Sequence, residues 1–255
     1  MEHPGLAVEA KPDLQGELQE RLRFETLLTE ILSRLVSSPS SRVDSEIERA
    51  LSDICTCLSI DHASFWEVSL DDSAVAEMTH LHRDPELPPV PKLVAREVLP
   101  WAEAKIRSGE VLAVPDTENV PQEAGIDKET WRRYGVKSIL GIPLSVGGGA
   151  VIGAVVFDAI REKRDWPESL SKRLSFLAQA FASTINRKNT DRKLQESEAR
   201  LSLAADSANA GLWIWDPVSG HTWATEKNFE LLGLPPATSS RLSSFLRSST
   251  PTFRK

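Results

Sequence analysis

Cysteine is nearly absent: the chain of 255 residues has two, Cys55 and Cys57, too few for a disulfide framework. They lie two apart in a stretch that reads as helix, where side chains diverge by about 200°, so the reading is of reduced thiols in a core. The first residues, Met1-Glu2-His3-Pro4-Gly5, lack the basic and apolar blocks of a secretory signal, and the expected location is cytoplasmic. Long apolar runs are missing too. The longest, residues 150–160, is interrupted by Gly153 and Asp158 and falls short of the roughly 18 residues of a spanning helix. A basic excess is also lacking: 30 Lys+Arg stand against 37 Asp+Glu, a net charge of -7, which argues against nucleic acid as a partner. No phosphate-binding loop, nucleophile elbow or dinucleotide fingerprint occurs, and no catalytic role is expected.

What is present is an ordinary globular mix, 40% hydrophobic and 26% charged. Apolar residues at Leu14, Leu18, Leu22, Leu28, Ile31, Leu32 and Leu35 predict a long amphipathic helix. Pro39 among four serines breaks it, and Asp44 is the expected N-cap of a second helix over residues 47–58. Residues 63–68 and 74–82 read as a hairpin turning at Asp71-Asp72. Four prolines between Pro85 and Pro91 exclude regular structure there, and one short helical stretch is expected over residues 93–108, closed by Gly109. A short strand over 111–114 and a helix over 127–134, stopped by Gly135, precede two strongly apolar strands, 138–144 and 151–157, around Gly147-Gly148-Gly149. Asp165-Trp166-Pro167-Glu168 opens a last helix with Pro167 in its first turn. Leu170, Leu174, Leu177, Phe181 and Ile185 form its stripe, and the helix runs on through Leu194 and Leu201, seven residues apart. The fold class is α+β: an antiparallel sheet with flanking helices, then a helical connector and a second, smaller α+β unit.

The order of elements over residues 20–187 resembles a GAF domain, and the most telling segments are Tyr134-Gly-Val-Lys-Ser-Ile-Leu-Gly-Ile-Pro-Leu144 and Val151-Ile-Gly-Ala-Val-Val-Phe157. Residues 1–19 then form an N-terminal segment and residues 188–205 the connector. Residues 206–236, with Gly-Leu-Trp-Ile-Trp-Asp216 and Phe229-Glu-Leu-Leu-Gly-Leu-Pro235, resemble the opening of a PAS domain, with Trp213 and Trp215 on one strand face and Trp223 on the next strand. A whole domain of that family has five strands, so three would be missing and the fragment would fold poorly. Related PAS segments carry a His-Pro-Asp motif soon after this point. The Ser-rich tail, residues 237–255, reads Ser-Ser-Thr-Pro-Thr-Phe where another reading frame can spell Ile-His-Pro-Asp-Leu-Pro, which suggests a frameshift.

The two resemblances imply a sensory input module of a bacterial signal-transduction protein, such as a truncated sensor histidine kinase. It would bind a small ligand or dimerise, and pass a signal to an output domain not present here. The alternative is a stand-alone GAF protein that docks on a partner without a ligand. By position, the GAF-like pocket draws on Phe65, Glu67, Val114, Asp116, Trp131, Tyr134, Ile139, Gly141 and Phe157, with the sheet face that meets the ligand left open. A homodimer is expected through helices, along Leu177, Phe181, Ile185, Leu194 and Leu201. The resemblance names no cofactor. Both cysteines lie outside the inserted region where bilin-binding members attach a chromophore, the cysteines of GAF-type methionine sulfoxide reductases are missing, and so is the charged motif of cyclic-nucleotide members. His80 and His82, with His62 or Asp84, have metal-ligand spacing, but ordinary surface histidines are the preferred reading. None of the five histidines has the context of a kinase phospho-acceptor.

Overall fold

A helix as long as α1, Leu14–Ser37, needs tertiary burial to hold it, and the computed structural model, which describes residues 14–68, 76–87, 89–91, 93–219, 222–231 and 233, provides it for part of its length. Phe24, Leu28, Ile31 and Leu35 are buried, whereas Leu18 and Leu22 stand 59% and 60% exposed. The apolar stripe predicted from the sequence is thus covered only from its middle onward. A 3-10 turn, Ser40–Arg42, leads into α2, Val43–Leu58. This helix starts earlier than expected. Arg42 occupies the N-cap position with no side-chain cap, and Asp44 lies in the first turn, where a carboxylate complements the helix dipole. Lys188 Nζ lies 2.5 Å from Asp44 Oδ1 and His80 Nε2 3.1 Å from the same atom.

Five strands follow: β1 His62–Val68, β2 Ala76–Arg83, β3 Leu112–Val114, β4 Ser138–Ser145 and β5 Val151–Ala159. They form one antiparallel sheet in the order β2-β1-β5-β4-β3. The Asp71-Asp72 turn expected between β1 and β2 lies outside the described residues. Gly153 is required in β5, because a Cβ there would fall 2.2 Å from the carbonyl oxygen of Trp66 on β1.

The single helix expected over 93–108 is two helices, α3 Ala95–Val98 and α4 Pro100–Arg107. Leu99, at φ -141° and ψ 49°, breaks the path because the ring of Pro100 disfavours a helical residue before it. Next come α5, Gly125–Tyr134, ended by Gly135 at φ 71°, and α6, Glu168–Ser207. Pro167 precedes α6 rather than entering its first turn, and its carbonyl accepts the amides of Leu170 and Ser171.

Helices α1, α2 and α6 cover one face of the sheet. Phe65, Leu140, Ile142, Val155 and Phe157 point into this layer, and Leu174, Leu177, Phe181 and Ile185 meet them from α6. Phe181 sits edge-on to Phe65 at 5.5 Å. Leu177, Phe181 and Ile185 are therefore core residues of one chain and not a seam between two copies: each is at most 1% exposed. Leu194 and Leu201, from the same expected seam, are 59% and 61% exposed.

The chain divides into two units between Asn189 and Thr190. In the second, β6 Trp213–Trp215 pairs antiparallel with β7 Thr222–Ala224, and α7, Glu226–Leu231, follows. The Thr225 hydroxyl accepts the Leu212 amide at 3.0 Å, tying the entry of β6 to the start of α7. Trp213 and Trp215 are each 56% exposed. Residues 237–255 lie outside the described residues.

Candidate functional site

The face of the sheet opposite α1, α2 and α6 carries the alternate residues His62, Ser64 and Trp66 of β1, Ile139 and Gly141 of β4, and Ala154, Val156 and Asp158 of β5. Cross-strand register fixes this sharing: His62 pairs with Asp158, Ser64 with Val156 and Trp66 with Ala154, while Ile139 pairs with Asp158 and Gly141 with Val156. Helices α3, α4 and α5 lie over this face and leave a partly open cavity of about 260 Å³ whose wall is mostly apolar, with Trp66, Met78, Ile106, Leu112, Val136 and Val156 among its lining. Gly141 lets α4 come close, since a Cβ there would lie 3.0 Å from Ile106 Cδ1.

The helical cover is held by one buried carboxylate. Asp127 of α5, with no exposed surface, accepts the Trp101 amide at 3.1 Å and the Ala102 amide at 2.8 Å, so it caps α4 from a different helix. Burial drives its carboxyl above the usual value, against those two amide bonds. Thr130 of α5 donates to the Val98 carbonyl at 2.6 Å, and Trp101 stands edge-on to Trp131 at 6.4 Å.

Of the residues expected at the pocket, Trp131, Tyr134, Ile139 and Gly141 line the cavity. The other five lie elsewhere. Phe65 and Phe157 alternate onto the opposite face and enter the core beneath the helices. Glu67 shares the face of Phe65 and accepts the Thr79 hydroxyl at 2.9 Å. Val114 is buried in the apolar cluster with Trp131 and Ile139 but does not reach the cavity wall. Asp116, beyond the end of β3, lies 2.6 Å from Lys163 Nζ, which with the Glu118 amide lowers its carboxyl.

Among the polar residues of the cavity that the sequence reading did not assign to it, which include Ser64, Arg83, Glu103, Arg107, Thr130 and Arg133, the buried pair His62 and Asp158 stands out. Their side chains are 8% exposed each, with Nδ1 of His62 2.5 Å from Oδ2 of Asp158. An aspartate inside an otherwise apolar strand was the available signal, but its partner is 96 residues away and only the register brings the two together. The metal reading does not assemble. His80 is buried rather than on the surface, edge-on to Phe65 at 5.7 Å and engaged with Asp44 and Thr79. Among the described residues, no three His, Cys, Asp or Glu side chains gather as a ligand set.

A second depression, lined by His82, Asp84, Asp61, Arg161, Lys163 and Arg164 among others, is polar, and its charges are engaged with one another. Arg161 bridges Asp61 and Asp84, each at 2.6 Å, and Arg164 donates to the Leu58 carbonyl at 2.6 Å. The first cavity is the better candidate, because a mostly apolar wall with a few polar groups is the make-up of small-molecule sites.

The family model described as GAF domain matches residues 43–187. Among solved structures, the phycoerythrobilin-bound GAF domain from a cyanobacterial phytochrome is similar, with a TM-score of 0.54 at 16% identity over 66% of this chain and 97% of that one. The GAF domain from a phosphoenolpyruvate-protein phosphotransferase of Coxiella burnetii aligns with a TM-score of 0.52 at 16% identity, over 68% of this chain and 98% of that one. The equivalent domain from Acinetobacter gives 0.51 at 16% identity, over 65% and 93%. No curated protein matches the sequence. With that match over more than half of its length, and with the five-stranded antiparallel sheet and its helical layer, the chain belongs to the GAF domain family.

Proposed function

We propose that this chain is a sensory input module of a signal-transduction protein, in which the GAF domain takes a small molecule into the cavity beneath α4 and α5. The observation that carries the reading is the cavity itself: partly open, mostly apolar, and lined by a few polar groups, two of them buried on adjacent strands. The bilin held by the similar phytochrome domain supports it. The output belongs to another domain or protein, a histidine kinase being the context suggested by a GAF domain followed by a PAS-like segment over residues 206–236. No catalytic role is assigned to this chain. Because α6 packs on the far side of the same sheet and continues to Ser207, a shift of β1 or β5 on ligand binding bears directly on Phe181 and its neighbours.

The test is a thermal-shift screen of small-molecule fractions on the whole chain, with a Val156→Phe variant that narrows the cavity. A ligand that fits raises the melting temperature of the parent protein in a concentration-dependent way and leaves the variant unmoved. An equal response in both proteins sinks the cavity as the site. A second reading, docking without a ligand, is favoured by exposed Leu18 and Leu22 of α1 and Phe176 of α6, which are also the surface through which a homodimer would form. Self-association with no ligand response supports that reading instead.

A further inference from the structure

The charges that line the cavity do not balance. Arg83, Arg107 and Arg133 stand against Glu103 and Asp158, in a chain whose net charge is -7. Both carboxylates are already engaged: Glu103 pairs with Arg107 and lies 3.9 Å from Arg96 Nε, and Asp158 Oδ2 lies 2.5 Å from His62 Nδ1. Arg83 and Arg133 have no carboxylate within ion-pair distance among the described residues, and Asp84, next to Arg83 in the chain, turns to Arg161 at 2.6 Å. Arg133, in the last turn of α5, is exposed and adds positive potential at the cavity. A locally positive cleft with low-dielectric walls on an acidic protein draws in an anion.

Arg83 is placed to meet it. At the end of β2 it pairs with His62 across the strands, and His62 pairs with Asp158, so the three share the cavity face in one row. Its Nη1 donates to the carbonyls of Asp84, at 3.3 Å, and Leu87, which holds the guanidinium against the chain leaving β2. Nε and Nη2 have no partner among the described residues. Their N–H groups point the same way and form the edge of a guanidinium that takes both oxygens of a carboxylate. The side chain is half-buried, so an anion on it keeps part of its hydration. Beside this row the wall is apolar: Ile139 follows Asp158 across the sheet, Val156 is two residues away on β5, and Leu87 lies just past Arg83. A cavity of about 260 Å³ is a little below the roughly 300 Å³ at which small-molecule sites begin, and so has room for a body of one ring. An inorganic anion would leave that wall uncovered, and a neutral ring would leave the Arg83 edge unmet. Resting on the ligand-cavity reading above, we propose that the cavity takes a small carboxylate with a one-ring apolar body, the body against Ile139, Val156 and Leu87 and the two oxygens on Nε and Nη2 of Arg83.

The probe is phenylacetate, titrated into the whole chain by isothermal calorimetry at neutral pH. Phenylacetamide, of the same shape without the charge, benzylamine, of the opposite charge, and acetate, without the ring, are the comparators. The expected result is that phenylacetate binds about tenfold more tightly than each of the three. Its binding weakens in Val156→Phe, and in Arg83→Gln its advantage over phenylacetamide disappears. That advantage is a ratio taken within one protein, so a general loss of stability in the variant does not imitate it. The ligand-side comparison needs no variant, so the test stands even if neither variant folds. A comparator binding as tightly as phenylacetate, an advantage that survives Arg83→Gln, or phenylacetate binding untouched by Val156→Phe overturns the carboxylate assignment and leaves the ligand-cavity reading intact. No binding by any of the four also overturns the assignment, and a blank thermal-shift screen beside it overturns the reading beneath.

Discussion

Replacing Phe181 by alanine separates two meanings of the apolar stripe on α6. The ring is fully buried and meets Phe65 edge-on, with centroids 5.5 Å apart and planes at 70°. Truncating a buried phenylalanine costs about 3–5 kcal/mol in transfer and cavity terms, and loss of the aromatic contact adds about 1 kcal/mol. For a unit of this size each kcal/mol lowers Tm by roughly 2–4 °C, so Phe181→Ala is expected to melt roughly 10–20 °C below the parent. Phe181→Leu, which keeps most of the volume, loses under about 1.5 kcal/mol. The assay is thermal and urea unfolding followed by circular dichroism at several protein concentrations. Because the contact lies within one chain, the difference between variant and parent is the same at every concentration. A loss below about 1 kcal/mol, or one that shrinks on dilution, refutes the reasoning and returns Phe181 to a seam between copies.

Gly153→Ala is expected to destabilise the domain by about 3 kcal/mol, since its methyl group would collide with the backbone of Trp66 and the pairing of β1 with β5 must open; urea unfolding measures it. Cys55, whose thiol is pushed up to about 12 by burial and then by the charges of Asp158 and Asp61, resists a thiol reagent in the native state, while half-buried Cys57 is modified first; mass spectrometry after timed labelling reads the order. Asp61 is raised by burial but lowered more by the amides of Arg161 and Ile160 and by the Arg161 guanidinium, leaving it below its ordinary 3.8. A depressed carboxylate stabilises the fold above 3.8 and loses that contribution as pH falls through its folded value, so the Asp61→Asn variant has a flatter acid limb of stability against pH than the parent. An unchanged acid limb contradicts the assignment.

Most helices and strands were legible because they carry a local signal: Gly135 stops α5, and the triple glycine joins β4 to β5. The sheet face that meets the cavity was not legible, because β4 is apolar on both sides and Ile139 and Leu140 look equally buriable until β3 and β5 set the register. Position along the chain points equally to Trp131, Tyr134, Phe65 and Phe157, but alternation along β1 and β5 sends the two phenylalanines to the other face. His62 and Asp158 escaped because a pair across 96 residues leaves no trace in spacing. The stripe of α6 shows a different limit: periodicity reports that Leu177, Phe181 and Ile185 are covered, and says nothing about whose chain covers them.

The capping of α4 by Asp127 gives the cavity a reporter of its own. First-turn amides of a helix have no carbonyl partner within it and exchange with solvent quickly. Those of Trp101 and Ala102 are instead bonded to a carboxylate with no exposed surface on the neighbouring helix, so their hydrogens leave only when α4 and α5 part. Exchange at these two positions therefore counts the openings of the cavity roof, and a ligand that seals the cavity slows both together, without any label placed in the site.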